Sequence, residues 1–383
     1  MEIPLSELVV KRARHGSLKQ EIFTGNFLQK IERREKAMTS ISSLGSSENS
    51  ASGAPARNVV ALDPGTANLV CAWEAGGSVK VSRLRNVFLE IPNDVFSRKM
   101  LGTLKVPEFE IDGKLYLAGN EAFELAKTFK KDLRRPMRSG VISSSEADAI
   151  PMLTRMVERL LKESIAKPGY RCAYSMPADP VDQEFDATFH RSVVEGMLKK
   201  NKLEPIPVKE GHAVVLSELA DSDYTGIGLS WGGGMVNACA AFRSIPVIAF
   251  SSARAGDWID EKAAQVCGAV KPRMTSVKES DDFDLASGNP TKEQAALISY
   301  YEAAIQYTME NIHRRFVDGK DMPDFSNPID IVCAGGTASP KGFVEAFQRV
   351  FDRMKFPIPV KGIRVAQKPL YAVIRGCLVF GSM

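Results

Sequence analysis

Long apolar runs are missing from this sequence. No stretch of 18 apolar residues occurs, so a membrane-spanning helix is not expected, and the N-terminus lacks the apolar centre of a secretion signal. Metal-type spacing is missing as well. The six cysteines (Cys71, Cys172, Cys239, Cys267, Cys333, Cys377) stand far apart without a C-x-x-C pair, and the four histidines do not cluster with them; a structural zinc site is unsupported. Most of these thiols sit inside apolar runs such as IVCAGG and NACAAF, which reads as buried thiols in a reducing, cytoplasmic compartment. Neither G-x-x-x-x-G-K-S/T nor G-x-G-x-x-G is present, and P-loop and dinucleotide-binding readings lose support accordingly. Charge of one sign is lacking too: 50 basic against 46 acidic residues leave +4, too balanced to make nucleic acid the main partner.

What is present is an ordinary folded composition, 44% apolar and 25% charged, spread over 383 residues. That length exceeds one hydrophobic core, so two domains are expected, with room for a site between them. Residues 38–57, MTSISSLGSSENSASGAPAR, carry almost no large apolar side chain and read as a linker. Ahead of them, residues 5–37 mix Leu, Val, Ile and Phe with dense Lys and Arg. This is either a basic amphipathic helix suited to an anionic membrane surface or a frayed leader. Residues 1–57 are expected to be dispensable for folding.

From Asn58 the character changes. NVVALDPGTANLVCAWE is a buried strand, a tight Gly turn and a second strand. Helical spacing follows at 146–165 and 184–200. GIGLSWGGGMVNACAAF at 226–242 repeats the hairpin, a third strand IPVIAFSSARAG leads to a helix near Asp257, and another helix is expected over 299–316. IDIVCAGGTASPKGFVEAF then reads as strand, Gly turn and helix, with Ser339-Pro340 suited to the helix start. Two hairpins of one design suggest two copies of one α/β unit, with a ligand between their turns.

Each turn has residues suited to an anion. Gly65, Thr66, Ala67 and Asn68 can aim backbone N–H groups at a phosphate, and Asp63 would face it, a placement that calls for a cation such as Mg²⁺ held largely through water. Taken alone, an ordinary Gly-containing hairpin explains the turn equally well. Gly232, Gly233 and Gly234 end an apolar strand where glycine weakens packing, so close approach of a ligand is the better reason for them. Gly335, Gly336 and Thr337 form the third turn.

The three turns, in this order and spacing, resemble those of the ATPase superfamily of actin, the DnaK-type chaperones and the sugar kinases, across residues 58–383. LDPGTAN looks like the phosphate-1 loop, especially that of MreB-like prokaryotic actins; SWGGGMV looks like the phosphate-2 loop and AGGTASPKGF like the adenosine motif. RPMRSGVISSSEA (135–147) and ARAGDWIDE (253–261) are similar to the segments entering the two connecting helices. The resemblance implies an α/β actin-like ATPase fold, two ribonuclease-H-like domains around a nucleotide cleft. Domain I would span 58–225, with a C-terminal helix over 368–383 packing back on it, and domain II 226–367. It further implies ATP or ADP with Mg²⁺ on Asp63, nucleotide contacts from Gly65 to Asn68, Gly232 to Gly234, Met235, Gly335, Gly336 and Thr337, and contacts to ribose and base from Lys278 and Glu279 in TSVKE. A solvated charge pair is the alternative for those two.

Two departures from the family pattern bear on hydrolysis. Ser230 stands where the phosphate-2 loop usually begins with Asp, and Met235 replaces a Thr, so turnover is expected to be slow. For the group that orients the attacking water the candidates are Glu184, Asp186 and His190, with His190 preferred among the three; a plain surface histidine is the stronger alternative for it. The chain ends without room for a chaperone's substrate-binding domain, which favours an actin-like protein: a nucleotide-gated, head-to-tail homopolymer. A non-polymerising ATPase or kinase, and a nucleotide-binding scaffold without turnover, are the competing readings.

Overall fold

The computed structural model describes residues 58–104, 108–129, 131–319 and 322–383. The basic segment 5–37 and the linker 38–57 lie outside the described residues. Strands β1 (Val59–Pro64), β2 (Asn68–Ala75) and β3 (Ser78–Arg85) form an antiparallel meander. An insertion follows, made of β4 (Phe88–Ile91), α1 (Val95–Leu104), β5 (Glu108–Ile111), β6 (Lys114–Ala118) and α2 (Asn120–Phe129), its strands pairing in the order β4-β6-β5. The short hairpin β7 (Met137–Arg138) and β8 (Val141–Ile142) leads to α3 (Ala149–Glu163), β9 (Arg171–Met176), α4 (Thr188–Lys200), β10 (Glu204–Lys209) and α5 (Glu210–Glu218).

The second half opens with β11 (Gly226–Trp231), β12 (Val236–Phe242) and β13 (Ile245–Ser252), again an antiparallel meander. Helices α6 (Gly256–Cys267), α7 (Lys271–Lys278) and α8 (Lys292–Asp318) precede β14 (Ile329–Ala334), α9 (Phe343–Phe351), β15 (Val360–Val365) and α10 (Ala372–Ser382). The sheet orders are β10-β9-β1-β2-β3 and β15-β14-β11-β12-β13, the same topology twice: β9 joins β1 in parallel and β10 joins β9, as β14 joins β11 and β15 joins β14. Central strands covered on both faces should read as unbroken apolar runs. VVALDP and GIGLSW do, and both are almost wholly buried.

Three apolar layers hold the halves. One lies under β1 and β9 against α3 and α4, and another lies among β11–β14, α6, α8 and α9, where the Trp231 ring meets Phe343 edge-on at 5.6 Å. Between the two sheets sit α5 and α10, joined by Val59, Ala61, Val70 and Ala72 on one side and Cys239, Ala241, Val332 and Ala334 on the other. Helix α10 therefore packs on β1 and β9 of the first sheet. Glycine makes this layer thin enough: a Cβ on Gly376 of α10 would overlap the Ala213 carbonyl of α5, and one on Gly211 would stand 2.8 Å from the β12 backbone.

Several elements differ from the sequence expectation. Helix α4 begins at Thr188 rather than 184, because residues 178–182 are tied to β12 and β13: Asn237 Oδ1 accepts from Ala178 N, and Asp182 accepts from Ser252 Oγ and Ala253 N. Helix α8 starts earlier than 299, at Lys292, where Thr291 and Gln294 form a reciprocal capping box, the arrangement that fixes a helix start. Ser339-Pro340 does not start α9, which begins at Phe343, since Lys341 and Asp284 first bridge two segments. Five of the six cysteines are buried, Cys267 is half-buried, and all are free.

Candidate functional site

A cleft of about 500 Å³ lies between the two halves. The expected residues of all three turns line it: Asp63, Gly65, Thr66, Ala67 and Asn68; Gly232, Gly233, Gly234 and Met235; Gly335, Gly336 and Thr337. Lys278 and Glu279 line it too. Sheet topology explains the convergence, because β1, β11 and β14 all end at the cleft and each is followed by its turn.

The turns also touch one another. A Cβ on Gly233 would stand 3.0 Å from the Ala67 methyl, and one on Gly234 would overlap Thr66 Oγ1 and the Gly140 nitrogen. Thr66 Oγ1 accepts from Gly140 N at 3.0 Å, and Thr337 Oγ1 donates to Gly232 O at 2.8 Å. Packing therefore accounts for Gly233 and Gly234 as well, where the sequence reading took close approach of a ligand as the better reason. Gly335 has φ +93 and its Cα faces the Trp231 carbonyl, so no other residue fits there. Gly336 differs: a Cβ there would meet only Leu370 Cδ2 at 3.3 Å, which leaves its cleft side open.

Two carboxylates share the cleft floor. Asp63, at the end of β1, accepts from Ser175 Oγ at 2.5 Å. Glu210 opens α5 and accepts from Ser230 Oγ at 2.9 Å. Burial pushes Asp63 up to about 6 despite the Ser175 hydrogen bond; burial and then the neighbouring Asp63 charge push Glu210 up to about 8. Among the described residues no cationic side chain offsets either group. This pair suits a hard divalent cation with oxygen ligands, and Mg²⁺ in particular asks the protein for only one or two carboxylates. Among the described residues no cluster of three or more His, Cys, Asp or Glu could hold a metal by itself.

The walls are bound by ion pairs. Asp257 opens α6 and accepts from Arg135 at 3.0 Å and Lys271 at 2.9 Å; burial opposes its ionised form, yet these cations hold it below the usual carboxylate range. Lys278 contacts Asp260 at 2.8 Å and the Gly256 carbonyl at 3.0 Å. Burial raises the Asp260 carboxyl in spite of that lysine. Glu279 pairs with Arg85 at 3.4 Å, from β3 on the opposite wall. Lys278 and Glu279 are thus not a solvated pair with each other; each has its own partner.

Glu184 and His190 are not brought to the cleft. Glu184 is exposed in the segment before α4, as is Asp186. His190 is not a surface histidine: it is buried on the inner face of α4, neither ring nitrogen has a partner among the described residues, and burial lowers it to about 4. The residue that sequence reasoning missed is Glu210. Its only signal was an acidic residue at a strand-to-helix junction, PIPVKEGHAVV, which carries no motif.

No curated protein sequence matches the chain. Solved structures do. A MamK double helical filament matches with TM-score 0.63 at 17% identity, over 85% of this chain and 98% of that one. MreB5 of Spiroplasma citri bound to AMPPNP matches with TM-score 0.61 at 15% identity, over 84% and 95%. The ethanolamine utilization protein EutJ from Carboxydothermus hydrogenoformans matches with TM-score 0.50 at 14% identity, over 84% and 89%. Such likeness establishes the α/β actin-like fold. A family profile described as Volactin matches residues 59–380, which include both sheets and the whole cleft, and the chain therefore belongs to the Volactin family.

Proposed function

We propose that this chain is an actin-like, ATP-binding protein that assembles head to tail and hydrolyses its nucleotide slowly. One observation carries the reading: three glycine turns from two like halves meet on one cleft whose floor holds an unneutralised carboxylate pair. Backbone N–H groups of the turns at 65–68 and 232–234 bind phosphate oxygens. Gly336, with its open face, lies along the nucleoside. Asp63 and Glu210 would hold Mg²⁺, which when bound neutralises phosphate charge. Glu210 Oε2 accepts from the Ser230 hydroxyl, which leaves its other oxygen to orient the attacking water and to hold the metal through water, the first of these being the role that sequence reading offered to Glu184, Asp186 or His190. Ser230 thus supports a carboxylate rather than lacking one, which favours slow turnover over a scaffold without turnover.

Self-association is supported by the MamK filament, whose chain is covered almost completely by this fold. Heterologous contacts that do not close into a ring produce filaments. Sedimentation with Mg²⁺ and ATP, beside ADP and no nucleotide, tests the proposal together with phosphate release. Pelleting with ATP and slow release of phosphate are expected. A chain that binds neither nucleotide, or that binds ATP and stays in the supernatant at every concentration, contradicts it.

A further inference from the structure

Among the described residues, one cation of the cleft has no polar partner. Arg83, Arg85, Arg135, Lys278 and Lys341 line the cleft. Three are paired with carboxylates, Arg85 with Glu279, Arg135 with Asp257 and Lys278 with Asp260, and Lys341 Nζ donates to the Asp281 carbonyl at 2.9 Å from the exposed rim. Arg83 has no hydrogen-bond or ion-pair partner among the described residues, and it is exposed.

Its position follows from strand register. Asp63 of β1 lies opposite Val70 of β2, and Val70 lies opposite Arg83 of β3. Directly opposed residues of antiparallel strands project from the same face. Arg83 therefore shares the cleft face with Asp63, two strand spacings or about 10 Å away, with only the short Val70 side chain between them. Arg83 is not part of any of the three turns, and it stands on the edge strand of its sheet.

We infer that Arg83 is the cation that engages the phosphate groups of the nucleotide, a specificity residue selecting a polyphosphate over a bare nucleoside. The inference rests on the nucleotide reading above. A triphosphate carries more negative charge than one divalent metal at Asp63 neutralises. A guanidinium with every donor unused forms bidentate, charge-assisted hydrogen bonds to phosphate oxygens. Arg85, held by Glu279 and stacked 4.1 Å over the Phe123 ring, is not free to do the same.

Calorimetric titration of the full chain in Mg²⁺ with ATP, ADP and adenosine tests this for the wild type, Arg83→Ala and Arg83→Lys. Loss of one charged partner is expected to weaken ATP and ADP binding by about 10- to 100-fold. Adenosine affinity and the unliganded melting temperature stay unchanged, Arg83→Lys falls between, and added salt narrows the gap. If Arg83→Ala binds ATP as tightly as the wild type, or loses adenosine and ATP equally, the inference is overturned while the nucleotide reading stands. A wild-type chain with no affinity for any of the three overturns both.

Discussion

Replacing Glu210 by Gln is the sharpest test of the cleft floor. Burial and the Asp63 charge raise this carboxyl from 4.5 to about 8, so between those values the folded state keeps a proton that the unfolded chain gives up. The sign follows. A group raised on folding adds stability that is fully present below its unfolded value and is lost as pH rises through the folded one. Each pH unit in that window removes about 1.36 kcal/mol, and from pH 5 to 8 the loss sums to about 4 kcal/mol. Glutamine keeps the length of the side chain and a carbonyl for the Ser230 hydroxyl, without the charge. Urea denaturation of the unliganded chain should therefore give similar stabilities for wild type and Glu210→Gln at pH 5, and a variant more stable by about 4 kcal/mol at pH 8. Millimolar Mg²⁺ should narrow the difference by stabilising only the wild type. Parallel stability curves across the window would refute the uncompensated pair, and with it the argument for a metal there.

Asp63→Ala should abolish Mg²⁺-dependent phosphate release, and Glu210→Gln should slow it by about 100-fold or more, both read at saturating nucleotide. Ser230→Asp, which the family pattern suggests as a gain, puts a third carboxylate beside Asp63 and Glu210; it should lower unliganded stability by about 2–4 kcal/mol and give no faster turnover in the same assay. Gly376→Val forces a side chain into the Ala213 carbonyl between α10 and α5, and a loss of about 3 kcal/mol or more in denaturation is expected. Gly336→Val meets only the flexible Leu370 tip, so its melting temperature should hold while ATP affinity collapses; retained affinity would move the nucleoside away from this turn.

Local chemistry was legible in the sequence wherever it is periodic or adjacent. Unbroken apolar runs marked β1 and β11 because central strands are covered on both faces, and the glycine turns were visible because each follows its strand within a few residues. Doubling of the hairpin disclosed the repeat that the two matching sheet orders carry. What depended on distance in sequence was decided only by the tertiary structure. Glu210 meets Ser230 and Asp63 across separate elements, and nothing in its neighbourhood along the chain distinguishes it from any other acidic helix start. His190 showed the reverse error: a polar residue among apolar ones looks poised for chemistry, yet packing buried both its nitrogens away from the cleft. Gly233 and Gly234 were noticed correctly but for an incomplete reason, since their loops touch Ala67, Thr66 and Gly140 from the other half. Arg83 belongs to the same class, because facing a site two strands from Asp63 is a property of register, and pairing across a sheet is not written in either strand alone.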